Sequence, residues 1–158
     1  MNNTIKFIVT DFSKVLLFPK DKNYQGSLNG LYKDIREQEG FNFFGHFEIN
    51  QELLDFLKTL REKYELSIFT SNIIQNDKAL GPILGPIFKN IISANEDIGV
   101  SKKEKESYLA LARKLDANPE EILYIDDSEK NIKAASEASL KTIQYKNNKE
   151  LIKELKNY

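Results

Sequence analysis

Short apolar runs alternate with amphipathic stretches along most of the chain. The runs are "IKFIVT" from Ile5, "LSIFT" from Leu66, "NIISA" from Asn90, "ILYID" from Ile122 and "KTIQY" from Lys141. Each has strand length and near-continuous apolar character, the pattern of strands covered on both faces. The stretches between them carry apolar residues at helical spacing. Leu53, Leu57 and Leu60 follow a capping Asn50; Tyr108, Ala112 and Leu115 share a face; Ile132, Ala135 and Ala138 follow Ser128; Leu151, Ile152 and Leu155 lie near the C-terminus. "NPEE" from Asn118 reads as a cap, a proline at the first helical position and acids in the first turn.

Strand and helix in alternation predict an α/β fold. Its expected form is a three-layer Rossmann-like arrangement, with a mainly parallel five-stranded sheet and helices on both faces. In such sheets ligands bind beyond the carboxyl ends of the strands. The residues there are Asp11, then Thr70 with Ser71 and Asn72, then Asp126 with Asp127. Residues 16–49 break the alternation. They hold a short amphipathic pattern, with Leu28, Leu31, Tyr32 and Ile35 on one face, and the aromatic-dense "FNFFGHF" from Phe41. This is too little for a second domain and predicts a small flap, a minimal cap inserted after the first strand. "GPILGPIF" from Gly81 predicts turns flanking a helix end.

Composition narrows the chemistry. The 158 residues suit a single domain, 1–158, with the flap inside it. A net charge of -1 with both signs interspersed argues against a broad nucleic-acid surface. The absence of cysteine excludes disulfides, thiolate catalysis and cysteine-held zinc, and His46, the single histidine, excludes a histidine-pair mechanism. No run resembles a membrane span or a signal peptide, so the expected compartment is the cytoplasm and no membrane partner is expected. Carboxylates, hydroxyls, lysines, amides and a hard metal ion remain. His46 is expected to be a surface or packing residue, with a small opening for a role as a substitute acid. The aromatic segment 41–47 is expected to be core or a homodimer contact.

If the first and fourth strands are neighbours, Asp11, Asp126 and Asp127 converge. Like charges that close stay ionised and desolvated only with a cation. Oxygen-only ligands at a water-accessible site suit magnesium. The hydroxyls of Thr70 and Ser71 can hydrogen-bond an oxyanion, and Lys102 or Lys103 can offset the charge of a phosphate and of a nucleophile. These are the parts that phosphoryl transfer needs.

The sequence resembles the haloacid dehalogenase-like superfamily of hydrolases over essentially its whole length. "FIVTDFSKV" resembles the first motif, "LSIFTSN" the second, "IGVSKKEKESY" the third and "PEEILYIDDSEKNIKAA" the fourth, including the acid pair and Asn131. Each motif alone is weak, but their order and strand-end placement are specific. The resemblance implies that Asp11 is the nucleophile and a metal ligand, forming an aspartyl intermediate. It implies that Ser13 offers its backbone carbonyl to the metal, that Thr70 or Ser71 holds the transferring phosphoryl group, and that Lys102 orients Asp11 and the phosphate. Asp127 would bind magnesium directly, with Asp126 in the first or second layer of ligands. Asn72 and Lys14 would lie on the substrate side.

The chain departs from the family at three positions. Ser13 stands where phosphatase members carry the aspartate that protonates the leaving group and activates water, help worth ~10²–10⁴-fold. Lys14 replaces the usual glycine, adding bulk and charge at the mouth of the site. Lys103 replaces a usual proline. Three functions compete: a magnesium-dependent phosphatase with weakened acid–base catalysis, a metal-independent dehalogenase-type hydrolase, and a non-catalytic module that binds phosphate or a protein. The first expects a small phosphorylated substrate or an exposed phosphate group, and it favours good leaving groups such as acyl or aryl phosphates.

Overall fold

A computed structural model describes residues 4–158. Five parallel strands form the main sheet: β1 (Phe7–Thr10), β4 (Glu65–Thr70), β5 (Asn90–Ser93), β6 (Ile122–Asp126) and β7 (Lys141–Gln144), in the order β5-β4-β1-β6-β7. β1 is central, and its successive residues serve opposite faces. Ile8 joins one apolar core and Val9 the other. That two-sided burial is why the run shows no polar alternation. The expected strands are present, with ends shifted by one or two residues. Ile5 and Lys6 precede β1, and Ala94 opens a five-residue π-type turn, Ala94–Ile98, closed by Gly99 at a φ of 80°.

The helices divide between the faces. Helix α3 (Gln51–Leu60), the short α4 (Gly81–Leu84) and α7 (Asn148–Leu155) bury Leu53, Leu57, Leu84, Leu151 and Leu155 in the first core. Helices α5 (Lys105–Lys114) and α6 (Glu129–Glu137) bury Tyr108, Leu111, Ala134 and Ala135 in the second. Side-chain caps start α6 and α7: the Oγ of Ser128 accepts from the N–H of Asn131 at 3.4 Å, and the Oδ1 of Asn147 from that of Glu150 at 2.9 Å. "GPILGPIF" forms the single turn α4 rather than connecting turns alone.

The chain between β1 and α3 forms a flap closed by a small antiparallel pair, β2 (Leu17–Pro19) with β3 (Phe47–Ile49). It also holds α1 (Leu28–Ile35) and α2 (Phe43–His46). Phe43 and Phe47 are core residues, and Phe41 stacks on His46 at 5.8 Å. The aromatic segment 41–47 therefore spends most of its apolar surface inside the protomer. The homodimer contact expected from it is not supported, because its two most buried rings are already covered. His46 is an exposed flap residue.

Asn50 joins the flap, α3 and α7. Its Oδ1 accepts from the Leu53 N–H at 3.3 Å, its Nδ2 donates to the Val15 carbonyl at 2.9 Å, and it exchanges two amide bonds of 2.8 Å with Asn148. Asn50→Ala removes a helix cap and strands several partners. It is expected to lower the unfolding free energy by about 1–3 kcal/mol in urea titrations followed by circular dichroism.

Candidate active site

Register places the acids. Thr10 is level with Ile125 on β6 and Ile68 on β4, so Asp11 stands level with Asp126 on one side and Phe69 on the other. Side chains at one level of parallel strands point the same way. The Asp11 N–H continues the ladder by donating to the Ile125 carbonyl at 2.8 Å. Just beyond, the chain turns sharply: the Phe12 carbonyl accepts the N–H groups of Leu16 and Leu17, and the Lys14 N–H donates to the Leu17 carbonyl. This turn needs Lys14 at a φ of 64°, in the left-handed region. A glycine would adopt that conformation without strain.

Two carboxylates side by side in a buried position repel strongly, by about 4 kcal/mol at 4 Å and an effective dielectric of 20. The structure answers with Lys102. Its side chain is buried, and Nζ lies 2.9 Å from Asp11 Oδ1 and 2.9 Å from Asp126 Oδ2. It sits over the rings of Phe69 and Tyr124, 5.7 and 5.6 Å from their centroids. The Tyr108 hydroxyl donates to the Lys102 carbonyl at 2.8 Å and so fixes the loop. Burial would lower the Lys102 pKa, but the two carboxylates outweigh it and the net shift is upward. The ammonium is therefore charged. Lys103, the other lysine considered, is exposed.

The three acids occupy different environments. Burial pushes Asp11 up to about 7, against the pull of Lys102. Burial and the neighbouring Asp126 push Asp127 up to about 6. Asp126 moves the other way: burial would raise it, but Lys102, Tyr124 and the Ser128 N–H outweigh that and hold it low. One atom from each of the three lies within 4.8 Å of the others, and all are oxygens, a donor set suited to a hard cation. A divalent cation there would draw the raised carboxyls back toward ionisation.

Distance alone does not make Asp126 a ligand. Its Oδ1 accepts from the Ser128 N–H at 2.8 Å. Its Oδ2 accepts from the Tyr124 hydroxyl at 2.5 Å, from Asn131 Nδ2 at 3.1 Å and from Lys102. Three of those donors fall on Oδ2 and one on Oδ1, so Oδ2 anchors Lys102 while Oδ1 keeps a lone pair. Asp11 is different. Its Oδ1 takes the Phe12 N–H at 2.8 Å and Lys102, while Oδ2 has no donor among the described residues.

Thr70 ends β4 and is buried, while Ser71 and Asn72 are half-buried just beyond. The Ser71 carbonyl accepts the Ser93 hydroxyl at 3.0 Å, and Asn72 Oδ1 accepts Asn95 Nδ2 at 2.8 Å. Asn72 thus ties its loop to the turn after β5. Ser13 is half-buried, and its Oγ is enclosed without any hydrogen-bond partner among the described residues. Tyr124 and Phe69, the floor under Lys102, did not stand out in the sequence. Their signal was only the strand period: each lies on the face that carries the acids.

A profile of the haloacid dehalogenase-like hydrolase family matches residues 11–139. The chain belongs to that family. Among curated relatives, an enolase-phosphatase E1 from Methylococcus capsulatus is 32% identical over 114 residues, 66% of this chain and 48% of that protein. One from Aquifex aeolicus is 40% identical over 57 residues, 35% of this chain and 26% of that protein. The matches span at most about half the length of these relatives. Among solved structures, a HAD family enzyme from Bacteroides thetaiotaomicron, in complex with magnesium and inorganic phosphate, aligns with a TM-score of 0.68 at 21% identity, covering 90% of this chain and 94% of that one. A predicted HAD-like hydrolase from Porphyromonas gingivalis gives 0.67 at 18% identity, covering 98% and 97%. At those identities the likeness is one of fold.

Removing the ammonium from this haloacid dehalogenase-like site isolates its contribution. Lys102→Met is expected to lower stability by about 3–5 kcal/mol in urea unfolding, because two buried carboxylates lose their counter-charge. Adding Asp126→Asn to that variant is expected to recover part of the loss, which a double-mutant cycle measures.

Proposed function

We propose that the protein is a magnesium-dependent phosphatase that works through an aspartyl-phosphate at Asp11. The observation that carries this reading is the Lys102 clamp. It holds Asp11 Oδ1 and leaves Oδ2 without a donor among the described residues, in a group of carboxylates that includes the half-exposed Asp127. In the first half-reaction Asp11 Oδ2 attacks phosphorus, and the bond to the leaving oxygen breaks with its electron pair. In the second, water attacks the same phosphorus and releases phosphate and the Asp11 carboxylate. Lys102 stays protonated throughout, orienting Asp11 and offsetting charge on the phosphoryl oxygens. Thr70, with Ser71 as the alternative, holds those oxygens by its hydroxyl. Asp11, Asp127 and the Ser13 backbone carbonyl would hold magnesium, with Asp126 behind them as the anchor of Lys102. Bound there, magnesium would neutralise the phosphoryl group and lower the repulsion met by an anionic nucleophile.

Ser13 defines the substrate range. A serine hydroxyl does not protonate a leaving group near neutral pH as a carboxylic acid does, so the leaving oxygen must carry its own negative charge. Aryl and acyl phosphates meet that requirement and alkyl phosphates do not. The enolase-phosphatase relatives lend support to phosphate-ester chemistry in general. The oxygen-only carboxylate group favours this reading over a metal-independent dehalogenase.

With magnesium, the purified protein is expected to hydrolyse 4-nitrophenyl phosphate slowly. Chelation with EDTA and Asp11→Asn should each abolish turnover. Absence of turnover across a panel of phosphate esters, together with tight binding of a phosphate analogue, would instead identify a binding module. Ser13→Asp is expected to raise kcat toward an alkyl phosphate by ~10²-fold or more. A variant that folds, binds magnesium and stays inactive would refute the assignment of the missing acid–base group to this position.

A further inference from the structure

Lys14 belongs to two surroundings at once. On one side it lies in the sharp turn that follows Asp11, three residues beyond that carboxylate. On the other side it borders a hollow of 290 Å³ lined by Lys14, Phe18, Pro19, Lys22, Tyr24 and Gln25. The flap builds this hollow. Phe18 and Pro19 come from β2, and Tyr24 is fixed by its hydroxyl, which donates to the Ser27 carbonyl at 2.9 Å. The turn after Asp11 carries Lys14 into its lining.

The lining has three chemical properties. Two flat or rigid apolar groups and a tyrosine give it a body that suits a ring. Lys14 and Lys22 give it two positive charges, and no carboxylate belongs to the lining. Its volume lies at the small end of ligand pockets, about 300–1,000 Å³, which suits one substituted ring and not a nucleotide. Lys22 is held by an exposed ion pair with Glu48 on β3. An incoming anion would exchange for that partner. Lys14 forms no ion pair among the described residues, and it is the cation closer to the chemistry.

We propose that this hollow is the leaving-group subsite, and that the substrate is an aryl phosphate whose ring carries a second anionic group, a carboxylate or its equivalent. This rests on the phosphatase reading and gives it a substrate class. Two independent demands meet in it. The lack of an acid at Ser13 calls for an aryl-type leaving group, and the lining calls for a ring with a negative charge. After the P–O bond breaks, the aryloxide leaves with the bonding pair. Lys14, a lining cation with no ion pair among the described residues, is placed to receive the second anionic group of the ring.

A second, larger hollow of 760 Å³ lies between the flap and the segment after β4, and it carries no comparable signal. Arg36 and Lys78 there are balanced by Glu37 and Asp77, so its lining offers no net positive charge to an anionic ring.

The test compares a carboxyphenyl phosphate with its carboxamide, two esters of similar leaving-group acidity, in the presence of magnesium. The carboxylate is expected to have the higher kcat/KM, by roughly fivefold to tenfold, a gap that closes in 0.5 M salt. Lys14→Gln should bring the ratio to near one, and Glu48→Gln, by releasing Lys22, should widen it. A ratio near one in the unaltered protein, or a preference that Lys14→Gln leaves intact, overturns the proposal. If neither ester is turned over, the phosphatase reading fails, and the corresponding aryl phosphonates decide the subsite by calorimetry with magnesium. Tighter binding of the carboxylated phosphonate, lost in Lys14→Gln, upholds the subsite; equal binding overturns it.

Discussion

One buried ammonium governs this structure. The parallel register of β1 and β6 sets Asp11 and Asp126 side by side, an arrangement that costs several kcal/mol in a buried site unless a positive charge joins them. Lys102 supplies that charge at 2.9 Å from each. Burying the lysine carries its own desolvation cost, and the surroundings are built to offset it. The rings of Phe69 and Tyr124 form the floor, Tyr108 holds the loop carbonyl, and Tyr124, Asn131 and the Ser128 N–H fix the acid that faces the lysine. Lys102, Asp126, Tyr108 and Tyr124 are all buried, so a change to one leaves its neighbours with an unpaired polar group.

The two faces of the sheet have separate duties as a result. The face covered by α5 and α6 carries the electrostatic machinery: its core contains Phe69, Tyr108 and Tyr124, directly below Lys102. The other face, covered by α3, α4 and α7, also supports the flap, since Phe12, Leu16, Leu17 and Phe47 all enter that core. Nucleophile and flap are therefore linked through the short turn after Asp11. In the reading proposed above, the first face determines that Asp11 reacts and the second determines what it reacts with. Ser13 and Lys14 lie at their junction, which is where the chain departs from the family's usual residues.

Much of this was legible along the chain. The five strands and the main helices were readable because two-sided burial leaves unbroken apolar runs, and because Asn50 and Ser128 cap within three residues of themselves. The strand-end acids were readable because parallel sheets gather ligands at one edge. The flap strands were not. Leu17–Pro19 and Phe47–Ile49 have three residues each, too few to show a period, and their pairing is made across some thirty intervening residues of chain. The aromatic segment 41–47 was ambiguous for a related reason: composition says that rings will be covered, and only packing says by what.

The sequence by itself determined the α/β alternation, the edge of the sheet that would hold chemistry, and the absence of thiol and paired-imidazole chemistry. These follow from periodicity and residue inventory, which are local or additive. Only the tertiary structure decided what surrounds each acid. Asp126 and Asp127 are adjacent and chemically identical, yet one is buried and takes four donors from Lys102, Tyr124, Ser128 and Asn131 while the other stands half-exposed. Likewise Lys14 shows itself in sequence only as a charge, while its left-handed backbone and its place in the lining of the flap hollow appear only once the turn is built. A carboxylate's role depends on how many of its lone pairs are already taken, and that count is made in three dimensions.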